Sequence, residues 1–333
     1  MKKRTTISDV AHVANVSMMT VSRAMNNKPG LSDELRQKIL KIAAEMDYHP
    51  SSIARGLATR KMTTVGLVVP SISNQFYAQI AQGVEEKAYE NGYSVFLINT
   101  LAELAREEAA MNSLRAHDID GAILCSLRTS QKKVLKRIER FSAVVLLNRE
   151  LHTPLPNVVT ICVNDQRAAQ EAVQRFLETG RRRIAYIGAP ENSFSSQRRL
   201  DGYCAALKNA KVAIDSSLVV HIMPDMVNGM EAAAMLLSRH PDIDAILAFN
   251  DLVAIGVLQA CKAAGKKIPG DVAVIGADDI PMSSLIVPPL TTSRVNLNNI
   301  GRLSMQTLLG LLAGEAPSAS YTIEPELVLR ESG

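Results

Sequence analysis

From residue 63 onward, short apolar runs alternate with stretches of helical length and pattern, and that alternation leaves few folds open. Runs at 65–69, 93–98, 121–124 and 143–147 are followed by a second series at 184–187, 218–220, 245–249 and 272–275. Helical segments at 77–90, 103–116, 165–178, 198–210, 228–239 and 251–264 separate them. Strands that are apolar on both faces must be covered on both faces, which a parallel sheet between helix layers provides. The breaker-rich stretch His152-Thr153-Pro154-Leu155-Pro156 divides the two series. The expectation is two similar Rossmann-like α/β lobes with a break near 160.

Ligands of open α/β sheets bind beyond the carboxyl ends of the strands. Four of those ends carry polar or aromatic groups. Val69 leads into Pro70 through Tyr77, which includes Asn74, Gln75 and Phe76; Leu147 leads into Asn148-Arg149, Phe249 into Asn250-Asp251, and Ile275 into Gly276-Ala277-Asp278-Asp279. Amide, guanidinium, carboxylate and aromatic groups between two lobes suit a small polar or polyhydroxylated ligand. The competing reading is helix N-capping. It weighs most on Asn74, Asn250 and Asp279 and least on Arg149.

Ahead of this body stand three short helical patterns. Thr6 and Asp9 form a capping box before Ile7, Val10, Ala11 and Ala14. After the turn at Asn15-Val16, Ser17 caps a second helix with Val21, Ala24 and Met25 available for packing, and Asn26 through Gly30 end it. Ser32 opens a third, with Leu35, Ile39, Ile42 and Met46 as its apolar stripe. Two short helices joined by about three residues, with a supporting helix behind, make a helix-turn-helix. Its second helix offers Met18, Met19, Thr20, Ser22, Arg23 and Asn26 to a major groove, where arginine can bridge guanine O6 and N7 and a methyl-bearing side chain can meet thymine. Core filling by one of the two methionines is the plainer alternative.

Charge supports a polyanionic partner. Residues 1–62 carry eleven Lys/Arg against five acids, a net +6, whereas the remaining 271 residues are net −2. A basic head on a near-neutral body points to nucleic acid. Between them, Ser51 through Thr59, containing Ala54, Gly56 and Leu57, is too short for a stable isolated helix. It reads as a linker that orders on a partner, with Leu57 as a minor-groove wedge.

Other function classes find little support. The four cysteines are widely spaced, no run reaches membrane-spanning length, and the basic N-terminus lacks an apolar signal core. No GxGxxG follows the first strand, and GxxxxGK[ST], HExxH and GxSxG are absent. The six histidines are scattered away from the proposed pocket. A cytoplasmic non-enzyme is expected, with no catalytic set, no metal site, no cofactor and no membrane partner.

The chain resembles the LacI/GalR family of bacterial transcriptional regulators along nearly its whole length. The resemblance is carried by Thr6-Ile7-Ser8-Asp9-Val10-Ala11, Val16 through Arg23, Pro50 with Ala54-Arg55-Gly56-Leu57, Val65 through Pro70, Ser73-Asn74, Gly180 through Ala185, Asn250-Asp251, Asp278-Asp279 and Pro289 through Thr292. It implies an all-α helix-turn-helix head at 1–49, a hinge helix at 50–62, and a body at 63–333 resembling periplasmic sugar-binding proteins. The chain would re-cross between lobes near 293 and 320. It further implies that Thr6, Ser17, Met18, Met19, Thr20, Ser22, Arg23, Asn26, Ala54 and Leu57 contact DNA. Asn74, Phe76, Arg149, Phe194, Arg199, Asn250 and Asp278 would hold an effector, and Asp165 would be structural. Alanine at Arg199 or Asp278 would then weaken the effector response and spare the fold. Gly56, Gln75, Ala277 and Val295 depart from the family's usual serine, proline, aromatic and glutamine.

The implied function is a homodimeric repressor of a carbohydrate-utilisation operon. Its partners would be double-stranded palindromic operator DNA and an effector that is a sugar, sugar acid or phosphate, or nucleoside. A solute-binding receptor or a sugar-processing enzyme on the same body are the alternatives.

Overall fold

The computed structural model describes residues 5–48, 62–315 and 320–333. Ala54, Gly56 and Leu57 therefore lie outside the described residues, together with the rest of 49–61. The chain divides into two compact units, one up to Thr63 and one from Thr64 to Gly333.

The head consists of α1 (Ile7–Ala14), α2 (Met18–Met25) and α3 (Asp33–Glu45). Thr6 and Asp9 satisfy each other's orphan N–H groups, with Asp9 N donating to Thr6 Oγ1 at 3.3 Å and Thr6 N to Asp9 Oδ2 at 2.8 Å. Asn15 closes α1 in the left-handed region at φ 53°. Val10, Ala14, Val21, Ala24, Ile39 and Ala43 bury one small core shared by all three helices.

In the body, β1 (Thr64–Val69), β2 (Ser94–Asn99), β3 (Gly121–Cys125), β4 (Val144–Leu147) and β5 (Val158–Val163) alternate with α4 (Gln75–Glu90), α5 (Leu104–Ala116) and α6 (Gln131–Ile138). The second lobe contains α7 (Asp165–Glu178), β6 (Ile184–Gly188), α8 (Phe194–Asn209), β7 (Val219–His221), α9 (Met226–Arg239), β8 (Ala245–Ala248), α10 (Asp251–Ala263), β9 (Ala273–Ala277) and β10 (Thr291–Arg294). The chain then returns through α11 (Leu297–Leu312) and β11 (Tyr321–Ile323) and leaves again through β12 (Glu326–Val328). The sheet orders are β11-β5-β4-β3-β1-β2 and β12-β10-β9-β8-β6-β7. Each sheet has a separate apolar core on either face, as double winding requires.

Three corrections to the sequence reading follow. The break near 160 comes at Asn164, but Val158–Val163 before it, absent from the expected strands, is a strand of the first sheet parallel to β4. The Pro154-Pro156 stretch only joins β4 to β5. The second sheet is not wholly parallel, because β12 runs antiparallel to β10.

Three segments cross between lobes, near 164, 295 and 324, and two of them are tied together. Asn164 Nδ2 donates to both carboxylate oxygens of Glu324 at 3.1 Å, and Arg167 Nη1 meets Glu324 Oε2 at 3.1 Å. Helix α11 docks on α4 through glycines. A methyl on Gly301 would run into the carbonyl oxygen of Ile80, and one on Gly83 into that of Asn298. No helix among the described residues is long and apolar enough to cross a membrane.

Candidate functional site

Helix α2 is amphipathic in the sense a groove reader needs. Val21 and Ala24 face the head core, while Met18 and Met19 are 55% and 68% exposed. Neither methionine fills the core, so the plainer alternative fails for both. Ser17 Oγ accepts from Thr20 N at 3.1 Å and lies 2.9 Å from Thr20 Oγ1, which fixes the first turn. Arg23 is exposed in the second turn of the helix. Thr6 and Asn26 are exposed and Ser22 is half-buried, and Asn26 Nδ2 donates to Ser22 O at 2.8 Å. Arg36 holds the loop behind this helix by donating to Asn27 Oδ1 and to Lys28 O. Two bare methionines on the outer face of a capped, braced helix cost solubility and are suited to contact with base edges.

The body's cleft, about 300 Å³, lies at the carboxyl ends of the strands. Asn74, Phe76, Arg199, Asn250 and Asp278 line it, with Asn148, Tyr77 and Phe249 beside them. Asn74 and Asn250 also cap helices, accepting from Phe76 N and Val253 N, both at 2.9 Å. The capping and pocket readings thus hold together at these two positions. Five lining residues other than glycine occupy positive φ: Leu101, Ala102, Ser126, Asn148 and, at 109°, Asp278. Backbone of this kind persists where the surroundings enforce it and gathers at binding sites.

At the centre, Arg199 is held from three sides. Its Nη1 donates to Phe249 O, Asp165 Oδ1 takes its Nε and Nη2, and Asp278 Oδ1 lies 3.6 Å from Nη2. Burial works against its charge, but Asp165 and Asp278 outweigh it and leave the guanidinium pKa raised. Burial also pushes the Asp278 carboxyl well above the ordinary carboxylate range, against the pull of Arg199.

Two expected site residues are placed elsewhere. Arg149 and Phe194 stand outside the cleft lining. Arg149 is 2% exposed and points back beneath the loop after β3, donating to Leu127 O at 3.1 Å and Thr129 O at 2.9 Å. Its guanidinium carbon lies 3.8 Å from the ring centroid of Phe194 in the other lobe. From the opposite side, the buried Glu107 carboxylate accepts from Arg128 N at 2.9 Å and Thr129 N at 3.0 Å. The two buried charges grip one loop between them.

Three strand ends passed over in the sequence reading also reach the cleft. Ser126 and Arg128 follow β3, Ser193 and Ser195 follow β6, and Met223 and Asp225 follow β7. The rule that finds ligands at strand ends would have found them. Among the described residues, the cleft lining holds no histidine, cysteine or lysine, and no three His, Cys, Asp or Glu side chains gather as a metal site.

This architecture matches known proteins over both units. Residues 6–51 match "Bacterial regulatory proteins, lacI family", and residues 62–329 match "Periplasmic binding proteins and sugar binding domain of LacI family". The ribose operon repressor of Halalkalibacterium halodurans is 33% identical over 330 residues, covering 98% of this chain and 97% of that one. Among solved structures, the lac repressor dimer bound to operator and the anti-inducer ONPF superposes with a TM-score of 0.89 at 25% identity, over 99% of both chains. The regulator CelR in complex with cellobiose gives 0.75 at 30% identity, over 99% of this chain and 100% of that one. A capped groove-reading helix, a two-lobed cleft and these matches along the full length lead to one conclusion: the chain belongs to the LacI family of bacterial transcriptional regulators.

Proposed function

We propose that this regulator is a cytoplasmic homodimeric repressor of a carbohydrate-utilisation operon, binding a palindromic operator under the control of a small polar effector held in the cleft. A single helix-turn-helix reads only a few base pairs, so a two-fold pair of heads on a two-fold operator supplies the needed specificity. The effector acts by binding one conformation of the body better than another, which sets operator affinity by linkage.

The observation that carries the reading is the outward display of Met18, Met19 and Arg23 on a helix whose other face is fully committed to the head core. In this reading Thr6, Ser17, Thr20, Ser22 and Asn26 join them at the DNA, as do Ala54 and Leu57 of the linker. Asn74, Phe76, Arg199, Asn250 and Asp278 surround the effector. Arg149 and Phe194 act from behind it, by holding the β3 loop and the facing lobe.

Genomic footprinting, followed by gel shifts on the recovered sites with and without candidate ligands, tests this. The expected result is protection of two-fold sites beside carbohydrate genes, and an operator affinity that moves with one class of ligand. Protection without two-fold symmetry, or operator affinity indifferent to every ligand that binds the cleft, overturns it.

A further inference from the structure

Two arginines line the cleft, and they are in opposite situations. Arg199 is spent on Asp165, Asp278 and the Phe249 carbonyl. Arg128 is not: among the described residues no carboxylate stands within ion-pair distance of its guanidinium. Its side-chain contact is Nη1 to the Met223 sulfur across the cleft, at 3.7 Å. A thioether is a weak acceptor, so a half-buried guanidinium with five donors faces the cavity with most of them unused.

Its backbone, in contrast, is firmly held. Glu107 grips the N–H groups of Arg128 and Thr129, and Arg149 grips the carbonyls of Leu127 and Thr129. Two buried charges are thus committed to presenting one half-buried charge. Phe76, Leu101, Met223, Phe249 and Leu252 line the same cleft and leave its wall short of other groups that could compete for that charge. Asp225 is on the facing wall, accepting from Asn228 N and Nδ2 at 2.9 and 2.6 Å, and makes no ion pair with Arg128. The cleft is therefore electrically polar, with an unpaired cation on the first lobe and the carboxyl groups of Asp225 and Asp278 and the amide of Asn250 on the second.

We infer that the effector is a polyhydroxylated anion, with a carboxylate or phosphate docked on Arg128 and its hydroxyls facing Asp278 and Asn250. A planar fork of N–H donors matches either anion two-pronged, which an ammonium or an amide does not. This rests on the effector reading given above and narrows its chemistry.

The test is calorimetric titration of the full-length protein with matched pairs: glucose against glucuronate and gluconate, galactose against galacturonate, and glucose and ribose against their terminal phosphates. At least one acid should bind tenfold or more tighter than its neutral partner. The carboxylate and phosphate arms identify which anion the site takes. R128M should cut that acid's affinity about 10- to 100-fold, the worth of a charge-assisted contact. R128K, which keeps the charge and loses the fork, should fall between.

A neutral sugar binding as tightly as its acid, an R128M protein that keeps the preference, or no binding by any acid overturns the inference. Operator titration with the same ligands separates the two readings. An acid that needs Arg128 but leaves operator affinity unchanged sinks the effector reading and keeps the anion site. A neutral sugar that shifts operator affinity does the reverse.

Discussion

Nε and Nη2 of Arg199 converge on a single oxygen of Asp165, both at 2.8 Å, in a pocket where the two residues are 8% and 2% exposed. Asp165 opens α7 just after the first crossing, and Arg199 projects from α8 toward the cleft. The pair binds the floor of the cleft to the frame of the second lobe.

That arrangement revises the expectation that alanine at Arg199 spares the fold. R199A leaves the buried Asp165 carboxyl without its main partner, at a cost of about 3–5 kcal/mol. Urea denaturation of R199A, D165N and the double variant measures the coupling between them. Additive losses would show that each carries its own role and that the pair is incidental.

Arg23 should read a guanine. R23A is expected to lose about 1–3 kcal/mol on the cognate operator and to relax discrimination at one base pair per half-site. Titration against operators substituted one base at a time is the measurement. Equal losses on cognate and scrambled duplexes would reduce Arg23 to a phosphate contact.

Asp251 should make stability fall as pH rises through its own range. Burial pushes its carboxyl up to about 6 from an ordinary 3.8, against hydrogen bonds from Ser283 Oγ, Thr292 Oγ1 and Ile280 N. From about pH 4 to 6 the folded chain keeps a proton that the unfolded chain has released, so folding is favoured as pH drops through 6 and the gain levels off below 4. Two pH units correspond to about 3 kcal/mol. In D251N the amide oxygen can serve Ser283 and Ile280, while the Thr292 hydroxyl turns to accept from the amide nitrogen. Wild type should therefore gain on D251N between pH 7.5 and 4.5. A constant difference between the two would mean that Asp251 carries no proton in that range.

Gly301→Ala should destabilise the first lobe by about 1–3 kcal/mol, because the new methyl meets backbone rather than a side chain that can turn aside. The change also gains about 1 kcal/mol of helix propensity, which the overlap with Ile80 outweighs. A melting temperature equal to or above that of wild type would show that α11 slides freely on α4.

The sequence discloses each of these elements to a different depth. Capping was legible at Thr6, Ser17 and Ser32 because it is written within four residues. The central strands were legible because burial on both faces makes them almost wholly apolar. Strand β5 was equally apolar, but it stands just after Pro154 and Pro156, whose local message is punctuation. Helix α11 has a clear apolar stripe, yet nothing local says that its partner is α4, more than 200 residues earlier. At the site, a strand end tells which edge of the sheet a residue occupies and not where its side chain points. Asn148 lines the cleft and its neighbour Arg149 turns away; Ser193 and Ser195 line it and Phe194 between them does not. Asn148 sits in the left-handed region and Ser193 caps the helix that Phe194 and Ser195 begin, so each direction is set by a local turn that a strand-end rule does not contain.

The late return of the chain also sets the order in which the protein can be made. A ribosome that has released everything up to residue 290 has produced neither lobe in full. The first still lacks α11 and the outer strand β11, and the second still lacks β10 and β12. Until α11 emerges, the face of α4 around Ile80 and Val84 has no cover, and at about 5–20 residues per second that interval lasts roughly ten to forty seconds. Both lobes are finished together by residues 291–328, so a nascent chain stalled before them exposes apolar helix surface open to chaperones.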